Sequence, residues 1–328
     1  MNSHADDPCG PRPTHDDTLE PTHPGDAAGH PLERYASIVD DLDALIETSR
    51  RPLPRAVWIN TLLTPPEPIA AAVLQRCPDA RPVPGVPHAF RLPAGTSPGT
   101  WPEFALGLLH AQEQATLWPA DLVGAQPGER VLDLCAAPGN KTLRLAVAMR
   151  DSGTIVANER YHARLPALRH NLERLGVTSV AVVDGDGCSL PDELGPFDRA
   201  LVDVPCTCEG TGRKTGGRLR ATSTRERDMM SSIQTGLLRR ALRLVRPGGT
   251  VVYATCTYAP EENEGVLDRI SPELATIEPI DVPDGMRTAP GVPEWQGQRY
   301  RDDVAHAVRI WAHHNDTGGF FVARLRRL

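Results

Sequence analysis

The chain has 328 residues, of which 40% are hydrophobic and 23% are charged, and its formal net charge is −7. This length predicts about two domains, and the composition is that of a soluble globular protein. No stretch approaches the roughly 20 apolar residues that cross a membrane, and the first residues lack the basic start and apolar run of a signal peptide. We therefore expect a cytoplasmic protein without a membrane partner.

Residues 1–34 differ in composition from the rest of the chain. They contain seven acidic residues, two arginines, six prolines and four histidines, with few large apolar residues. Such a segment buries too little apolar surface to offset chain entropy, which predicts a disordered acidic tail. The remainder is close to neutral, and basic residues cluster within 213–220 and 239–246. Both a basic groove for RNA and ordinary solvated faces fit these clusters.

Residues 35–103 are predicted to form a small α+β domain and a linker. Apolar residues from 35 to 46 recur at helical spacing, residues 55–60 favour a strand, and residues 68–77 favour a second helix. Prolines and glycines between 82 and 99 then indicate an irregular connection.

Residues 104–328 alternate between strand and helix patterns. The predicted strands are short Val-, Ile- and Leu-rich runs at 130–134, 154–157, 180–183, 200–202 and 250–254. Leu165, Leu168, Leu172 and Leu175 follow helical spacing, and Gly176 suits a helix C-terminus. The fold class is therefore α/β, a Rossmann-like doubly wound sheet that binds ligands at the carboxyl ends of its strands.

The loop after the first of these strands, residues 133–142, leads into a helix whose amides point at any bound ligand. It has neither the Gly-x-Gly-x-x-Gly pattern of dinucleotide sites nor a phosphate-binding Gly-Lys-Thr, because Asn140 precedes Lys141. S-adenosylmethionine carries no phosphate and needs only a tight turn with amides for its carboxylate. This context alone is compatible with several cofactors.

Two acidic residues end the next two strands. Glu159 lies 20 residues after Gly139, a position that suits a carboxylate binding the ribose hydroxyls of an adenosyl group. Asp186 suits recognition of the adenine amino group. A surface acid in a turn is the alternative for Glu159, and a glycine-rich turn is the alternative for Asp186.

Two cysteines follow the fourth and fifth strands, which this topology makes neighbours. Cys206 and Cys256 would then share the active edge of the sheet. Methylation of cytosine carbon 5 needs a thiolate that adds to carbon 6 and a second group that removes the carbon-5 proton. Cysteines buried as small apolar residues are the alternative. Cys206-x-Cys208 has no second pair at zinc-site spacing, so we expect no metal.

Residues 134–142, 203–206 and 255–256 together resemble the Sun-domain, RsmB/RsmF-type RNA cytosine-carbon-5 methyltransferases. The likeness includes Gln112-Glu113, residues 260–264, and the ending 309–311 with 317–323, and it covers residues 50–328. Asn140 and the Val204–Thr207 stretch depart slightly from the usual Gly-Gly-Lys and Ala-Pro-Cys-Ser. Cys208 is less usual and has no assigned role.

The resemblance implies an S-adenosylmethionine-dependent catalytic domain over 104–328. It implies that Cys256 is the nucleophile, that Cys206 releases the adduct, and that Asp203 positions the base. The implied cofactor-binding residues are Cys135, Ala136, Ala137, Pro138, Gly139, Asn140, Lys141, Glu159, Asp186 and Asp203.

The resemblance further implies a structured RNA substrate, ribosomal RNA or alternatively transfer RNA, and we expect a monomer. Three other classes stay open: a methyltransferase of a small molecule or protein, a non-catalytic RNA-binding factor, and a DNA cytosine methyltransferase. The last would use its Pro-Cys thiol, here Cys206, as the nucleophile.

Overall fold

The computed structural model describes residues 29–215 and 219–328. Its helices are α1 (Leu42–Arg50), α2 (Pro66–Arg76), α3 (Pro102–Ala105), α4 (Trp118–Val123), α5 (Asn140–Ala148), α6 (Leu165–Arg174), α7 (Thr224–Leu244), α8 (Glu264–Asp268) and α9 (Ala312–Asn315). Its strands are β1 (Ala56–Ile59), β2 (Arg81–Pro82), β3 (Ala89–Arg91), β4 (Leu109–Gln112), β5 (Arg130–Asp133), β6 (Thr154–Glu159), β7 (Val180–Asp184), β8 (Phe197–Asp203), β9 (Val245–Thr255), β10 (Ala275–Glu278), β11 (Ala289–Pro290), β12 (Glu294–Trp295), β13 (Gln298–Arg299), β14 (Val308–Ile310) and β15 (Phe320–Arg327). Short 3-10 turns connect several of them.

A small antiparallel sheet of order β2-β3-β1-β4 forms the N-terminal layer. All of β1 is buried, and the apolar residues of α2 and β4 share its core. The strand predicted at 55–60 and the helix predicted at 68–77 are therefore present. β4 lies beyond residue 103, which is the predicted end of the small domain.

The first described residues pack onto the large sheet. Pro31–Tyr35 forms a 3-10 turn, and the side chains of Leu32 and Tyr35 are buried in the main core. Arg34 pairs with Glu261 at 2.7 Å. The prediction of a disordered tail is wrong for residues 31–34, because two apolar side chains one turn apart reach the core. Residues 1–28 lie outside the described residues.

The chain does not continue as one helix from residue 35 to residue 46. The 3-10 turn ends at Tyr35, and α1 begins after Asp41, whose side chain accepts a hydrogen bond from the backbone N–H of Ala44. A capping aspartate thus interrupts an apolar pattern that itself has helical spacing.

The large sheet contains nine strands, with β10 pairing beside the order β11-β14-β15-β9-β8-β5-β6-β7. The pairs from β7 through β6, β5 and β8 to β9 are parallel, which confirms all five predicted strands and the Rossmann-like fold class. The helix predicted from Leu165 is α6, and Gly176 after it has φ of +68°. β8 and β9 are neighbours, as the sequence analysis expected.

The sheet is completed by antiparallel strands from the end of the chain. β15 pairs with β9 over six residues and also contacts β14 and β10. These strands were not predicted, and they cover the edge of β9 next to the carboxyl ends of β8 and β9. Within the described ranges, no helix is both long and apolar enough to span a lipid bilayer.

Candidate active site

The carboxyl ends of β8 and β9 bring two thiols together. Asp203 pairs in register with Ala254, so the loops that follow leave the sheet side by side. The Sγ atoms of Cys206 and Cys256 lie 3.2 Å apart. The parallel pairing of β8 and β9 thus brings two cysteines that are 50 residues apart in the chain into direct contact.

A third thiol completes a triangle. The Sγ atom of Cys208 lies 3.8 Å from that of Cys206 and 3.6 Å from that of Cys256. Cys208 has φ of +61°, and its thiol donates to the carbonyl oxygen of Cys206 at 3.1 Å. This left-handed turn directs an exposed thiol back toward the other two.

The three thiols differ in how readily they ionise. Hydrogen bonds with Cys208 and Cys256, together with burial, raise the pKa of Cys206. The contact with Cys206 lowers the pKa of Cys256, but the contact with Cys208 and burial outweigh it, so the pKa of Cys256 is raised. Hydrogen bonds from the other two thiols and the charge of Lys214 lower the pKa of Cys208. Negative charge is therefore easiest to place on Cys208.

Glu262 fixes the loop that carries Cys206 and Cys208. Its carboxylate accepts hydrogen bonds from the backbone N–H of Thr207 at 3.1 Å, from the Thr207 hydroxyl, and from the amide of Gln234 at 2.8 Å. Burial raises the pKa of Glu262 to about 7. Glu262 lies within the 260–264 stretch that carries the family resemblance, but the sequence predicted no role for it.

Lys141 and Asp203 form an ion pair beside the thiols. Lys141 Nζ donates to Asp203 Oδ2 at 2.6 Å. Burial alone lowers the pKa of Lys141, but the carboxylate of Asp203 outweighs it and the pKa is raised. Lys141 stays charged, and it links the start of α5 to the end of β8.

The loop after β5 is tightly bonded to β6. Ala136 donates its backbone N–H to the carbonyl oxygen of Asn158 at 2.8 Å, and Gly139 donates to Ala136 at 2.7 Å. Gly139 has φ of +100°, and a Cβ atom there would lie 2.8 Å from a methyl group of Leu168. The turn therefore requires glycine.

Glu159 and Asp186 are placed at the same edge by the ends of β6 and β7. Glu159 accepts hydrogen bonds from the backbone N–H groups of Ala137 at 3.3 Å and Tyr161 at 2.8 Å, and it lies 3.1 Å from a nitrogen of Arg164. Asp186 accepts from the N–H of Cys188 at 3.0 Å.

Two buried oxygen atoms near this loop lack partners among the described residues: Asp133 Oδ1 and Asn158 Oδ1. Burial raises the pKa of Asp133 to about 7. Unpaired buried acceptors are costly, and S-adenosylmethionine carries ammonium and hydroxyl groups, which are donors of the kind that these two acceptors lack. The donor set of S-adenosylmethionine fits this loop.

Arg213 does not belong to a basic groove. Its guanidinium is buried and donates to the carbonyl oxygens of Thr317, Arg51 and Pro52, and it pairs with Asp316 at 2.7 Å. It joins three segments of the fold. Lys214 is exposed, whereas residue 218 of the predicted cluster lies outside the described residues.

Comparison with known proteins identifies one family. The family described as 16S rRNA methyltransferase RsmB/F matches residues 120–326. The tRNA (cytosine(49)-C(5))-methyltransferase of Pyrococcus abyssi is 33% identical over 299 residues, which cover 90% of this chain and 95% of that protein. Ribosomal RNA small subunit methyltransferase F of Erwinia tasmaniensis is 32% identical over 314 residues, or 90% of this chain and 62% of that protein.

Solved structures agree with the fold. A methyltransferase homolog protein from Pyrococcus horikoshii has a TM-score of 0.78 at 28% identity and covers 92% of this chain and 100% of that one. NSun6 from Pyrococcus horikoshii, solved with SFG, has a TM-score of 0.79 over 92% of this chain and 98% of that one. At 19% identity, the likeness to NSun6 concerns the fold alone.

Proposed function

Because the chain belongs to the 16S rRNA methyltransferase RsmB/F family, we propose that it transfers a methyl group from S-adenosylmethionine to carbon 5 of a cytosine in structured RNA. The contact of 3.2 Å between the Cys206 and Cys256 sulfur atoms carries this proposal. Carbon 5 is a weak nucleophile, and only covalent addition at carbon 6 activates it. Methyl transfer to small molecules or proteins needs no such pair of thiols.

Cys256 supplies the nucleophile. Because its pKa is raised, the Cys256 thiol must first lose its proton, which passes to solvent. The thiolate then forms the bond to carbon 6, and the electron pair of the double bond moves to carbon 5. The carboxylate of Asp203 accepts a hydrogen bond from the cytosine amino group and holds the base over Cys256.

S-adenosylmethionine, when bound, supplies the methyl group that carbon 5 takes up. The turn formed by Cys135, Ala136, Ala137, Pro138, Gly139, Asn140 and Lys141 would hold its amino acid part. Glu159 would bind the ribose hydroxyls, and Asp186 would accept a hydrogen bond from the adenine amino group. Lys141 keeps the carboxylate of Asp203 in place through their ion pair of 2.6 Å.

Cys206 completes the reaction. Its thiol, whose pKa is also raised, first loses its proton to solvent, and the thiolate then removes the proton from carbon 5. The electron pair of the broken carbon–hydrogen bond restores the double bond to carbon 6, and the bond between carbon 6 and Cys256 breaks. Cys206 is suited to this step because its sulfur lies in contact with that of Cys256. The proton ends on Cys206, and Cys256 leaves as a thiolate.

Ribosomal RNA is the substrate we propose, with transfer RNA as the second candidate because the relative from Pyrococcus abyssi bears a tRNA name and matches along nearly its whole length. We also propose that the enzyme acts as a monomer and in the cytoplasm. The test incubates the enzyme with labelled S-adenosylmethionine and either unmodified 16S rRNA or unmodified tRNA, followed by bisulfite mapping. Label on a cytosine of rRNA supports the main proposal, and label on tRNA alone selects the alternative. Label on neither RNA contradicts both.

A further inference from the structure

The proposed reaction uses two thiols, but the site contains three. Cys208 is the exposed member, and its sulfur lies within 3.8 Å of both Cys206 and Cys256. From the sequence we expect no metal, because no second pair of cysteines at zinc-site spacing accompanies Cys206 and Cys208. The fold supplies the third sulfur from another strand.

The spacing of the three sulfur atoms matches a metal coordination sphere. Zinc binds thiolates at about 2.3 Å, so two sulfurs of a tetrahedral site lie about 3.8 Å apart. The three separations here are 3.2, 3.6 and 3.8 Å. One ion can therefore contact all three sulfurs after a small outward movement of Cys206 and Cys256, with its fourth position open to solvent beside Cys208.

We propose that Cys206, Cys208 and Cys256 form a binding site for a thiophilic divalent cation of the Zn²⁺ type, and that the ion inhibits the enzyme by occupying the nucleophile. The binding half of this proposal stands on the geometry of the thiols. The inhibition half rests on the proposed function. Each thiol that coordinates the ion releases its proton to solvent, so binding strengthens as pH rises.

The surroundings of Cys208 favour this role. Its left-handed backbone (φ +61°) turns the thiol inward, where it bonds to the carbonyl oxygen of Cys206. Removal of Cys208 leaves Cys206 and Cys256. These two thiols are the ones that the proposed reaction uses, and they would be the only two sulfur ligands left at the site.

Asp40, His313 and His314 form a second group of residues of the types that bind metals, but their side chains already bond to one another and to Arg287. Asp40 accepts hydrogen bonds from Nε2 of both His313 and His314 at 2.9 Å. Arg287 also pairs with Asp40 at 2.5 Å. The guanidinium occupies the place of a cation there, and no sulfur takes part.

The test titrates the full, reduced protein with Cd²⁺ and follows the ultraviolet charge-transfer absorption that only sulfur ligands give. We expect one equivalent to saturate the band, Zn²⁺ to displace it, and Cys208→Ser to weaken binding at least about tenfold. Cys77→Ser, which removes a free thiol elsewhere, leaves the band unchanged. Cys208→Gly suits the left-handed turn and gives the same answer if the serine variant does not fold.

Methyl transfer provides the second measurement. Zn²⁺ should inhibit the native enzyme, EDTA should restore it, and Cys208→Ser should tolerate at least about tenfold more Zn²⁺. The proposed metal site is wrong if saturating Cd²⁺ gives no charge-transfer band, or if Cys208→Ser binds Cd²⁺ as tightly as the native protein. Inhibition that only a thiol reductant reverses indicates a disulfide and overturns the inhibition by metal. An absent RNA methyltransferase activity with an intact band refutes the proposed function but not the metal site.

Discussion

The backbone N–H of Gly210 donates a hydrogen bond to the carbonyl oxygen of Cys256, with 2.9 Å between the two atoms. The carbonyl oxygen of Gly210 in turn accepts from the N–H of Gly319 at 2.8 Å. The loops after β8 and β9 and the turn before β15 are therefore bonded to one another. This network holds Cys206 and Cys256 at contact distance without a covalent link.

Gly210→Ala should disturb this network. An added Cβ atom would lie 2.4 Å from the carbonyl oxygen of Gly319 and 2.8 Å from that of Cys256. Overpacking of this kind costs about 1–3 kcal/mol. We expect a lower free energy of unfolding in urea and slower methyl transfer. Gly99→Ala is the control, because its Cβ atom would meet no atom within 4 Å, and equal behaviour of the two variants would refute the argument.

Glu264→Ala should destabilise the fold. Glu264 and Arg309 are fully buried, with Arg309 Nε 2.7 Å from Glu264 Oε1. Removing one partner leaves an uncompensated buried charge, which costs about 3–5 kcal/mol. Asp302→Ala breaks the exposed pair with Arg299 and should change the free energy of unfolding by about 0–1 kcal/mol. A loss below 1 kcal/mol in Glu264→Ala would speak against this account.

Glu159→Ala should weaken binding of S-adenosylmethionine measured by calorimetry. Loss of charge-assisted hydrogen bonds to the ribose costs about 1.5–3 kcal/mol, or roughly 10- to 150-fold in affinity. Asp184→Ala removes the neighbouring exposed acid, which bonds to His162, and should leave the affinity unchanged. Equal affinities of the Glu159 variant and the native protein would remove Glu159 from the cofactor site.

The pKa of Glu262 predicts a dependence of stability on pH. Burial raises this pKa from an ordinary 4.5 to about 7, so the folded state binds the proton more tightly than the unfolded state. The contribution of Glu262 to stability therefore falls as pH rises from about 4.5 to 7, by about 1.4 kcal/mol per unit of raised pKa.

In the Glu262→Gln variant, the free energy of unfolding should fall less as pH rises, because glutamine does not titrate. The comparison is the free energy of unfolding of native protein and variant at pH 5 and pH 8. Asp133 also has a raised pKa, but it is present in both proteins and cancels in the difference. Identical decreases in the two proteins would mean that Glu262 does not titrate in this range.

The parallel core of the fold could be predicted from sequence because each of its strands contains a short run rich in Val, Ile, Leu or Ala. The juxtaposition of Cys206 and Cys256 followed from the neighbouring positions of their strands. The role of residues 31–34 could not be predicted, because Leu32 and Tyr35 gain a core only from residues far along the chain.

Contacts that depend on loop conformation also could not be predicted from the sequence. Nothing local distinguishes the buried Arg213 from the exposed Lys214, since burial depends on carbonyl oxygens of distant segments. The inward turn of Cys208 depends on a left-handed backbone that a non-glycine residue rarely adopts. The contacts of Glu262 likewise join residues 28 and 55 positions away.

The central claim is that Cys256 attacks the cytosine and Cys206 releases it. The direct measurement mixes Cys206→Ala or Cys256→Ala with RNA and labelled S-adenosylmethionine and examines each reaction on a denaturing gel. Cys206→Ala should accumulate a slow, labelled band of enzyme bound to methylated RNA, because addition and methyl transfer proceed but release does not. Cys256→Ala should give neither the band nor methylated RNA. A band in Cys256→Ala but not in Cys206→Ala would reverse the two roles, and full activity of both variants would contradict covalent catalysis by these thiols.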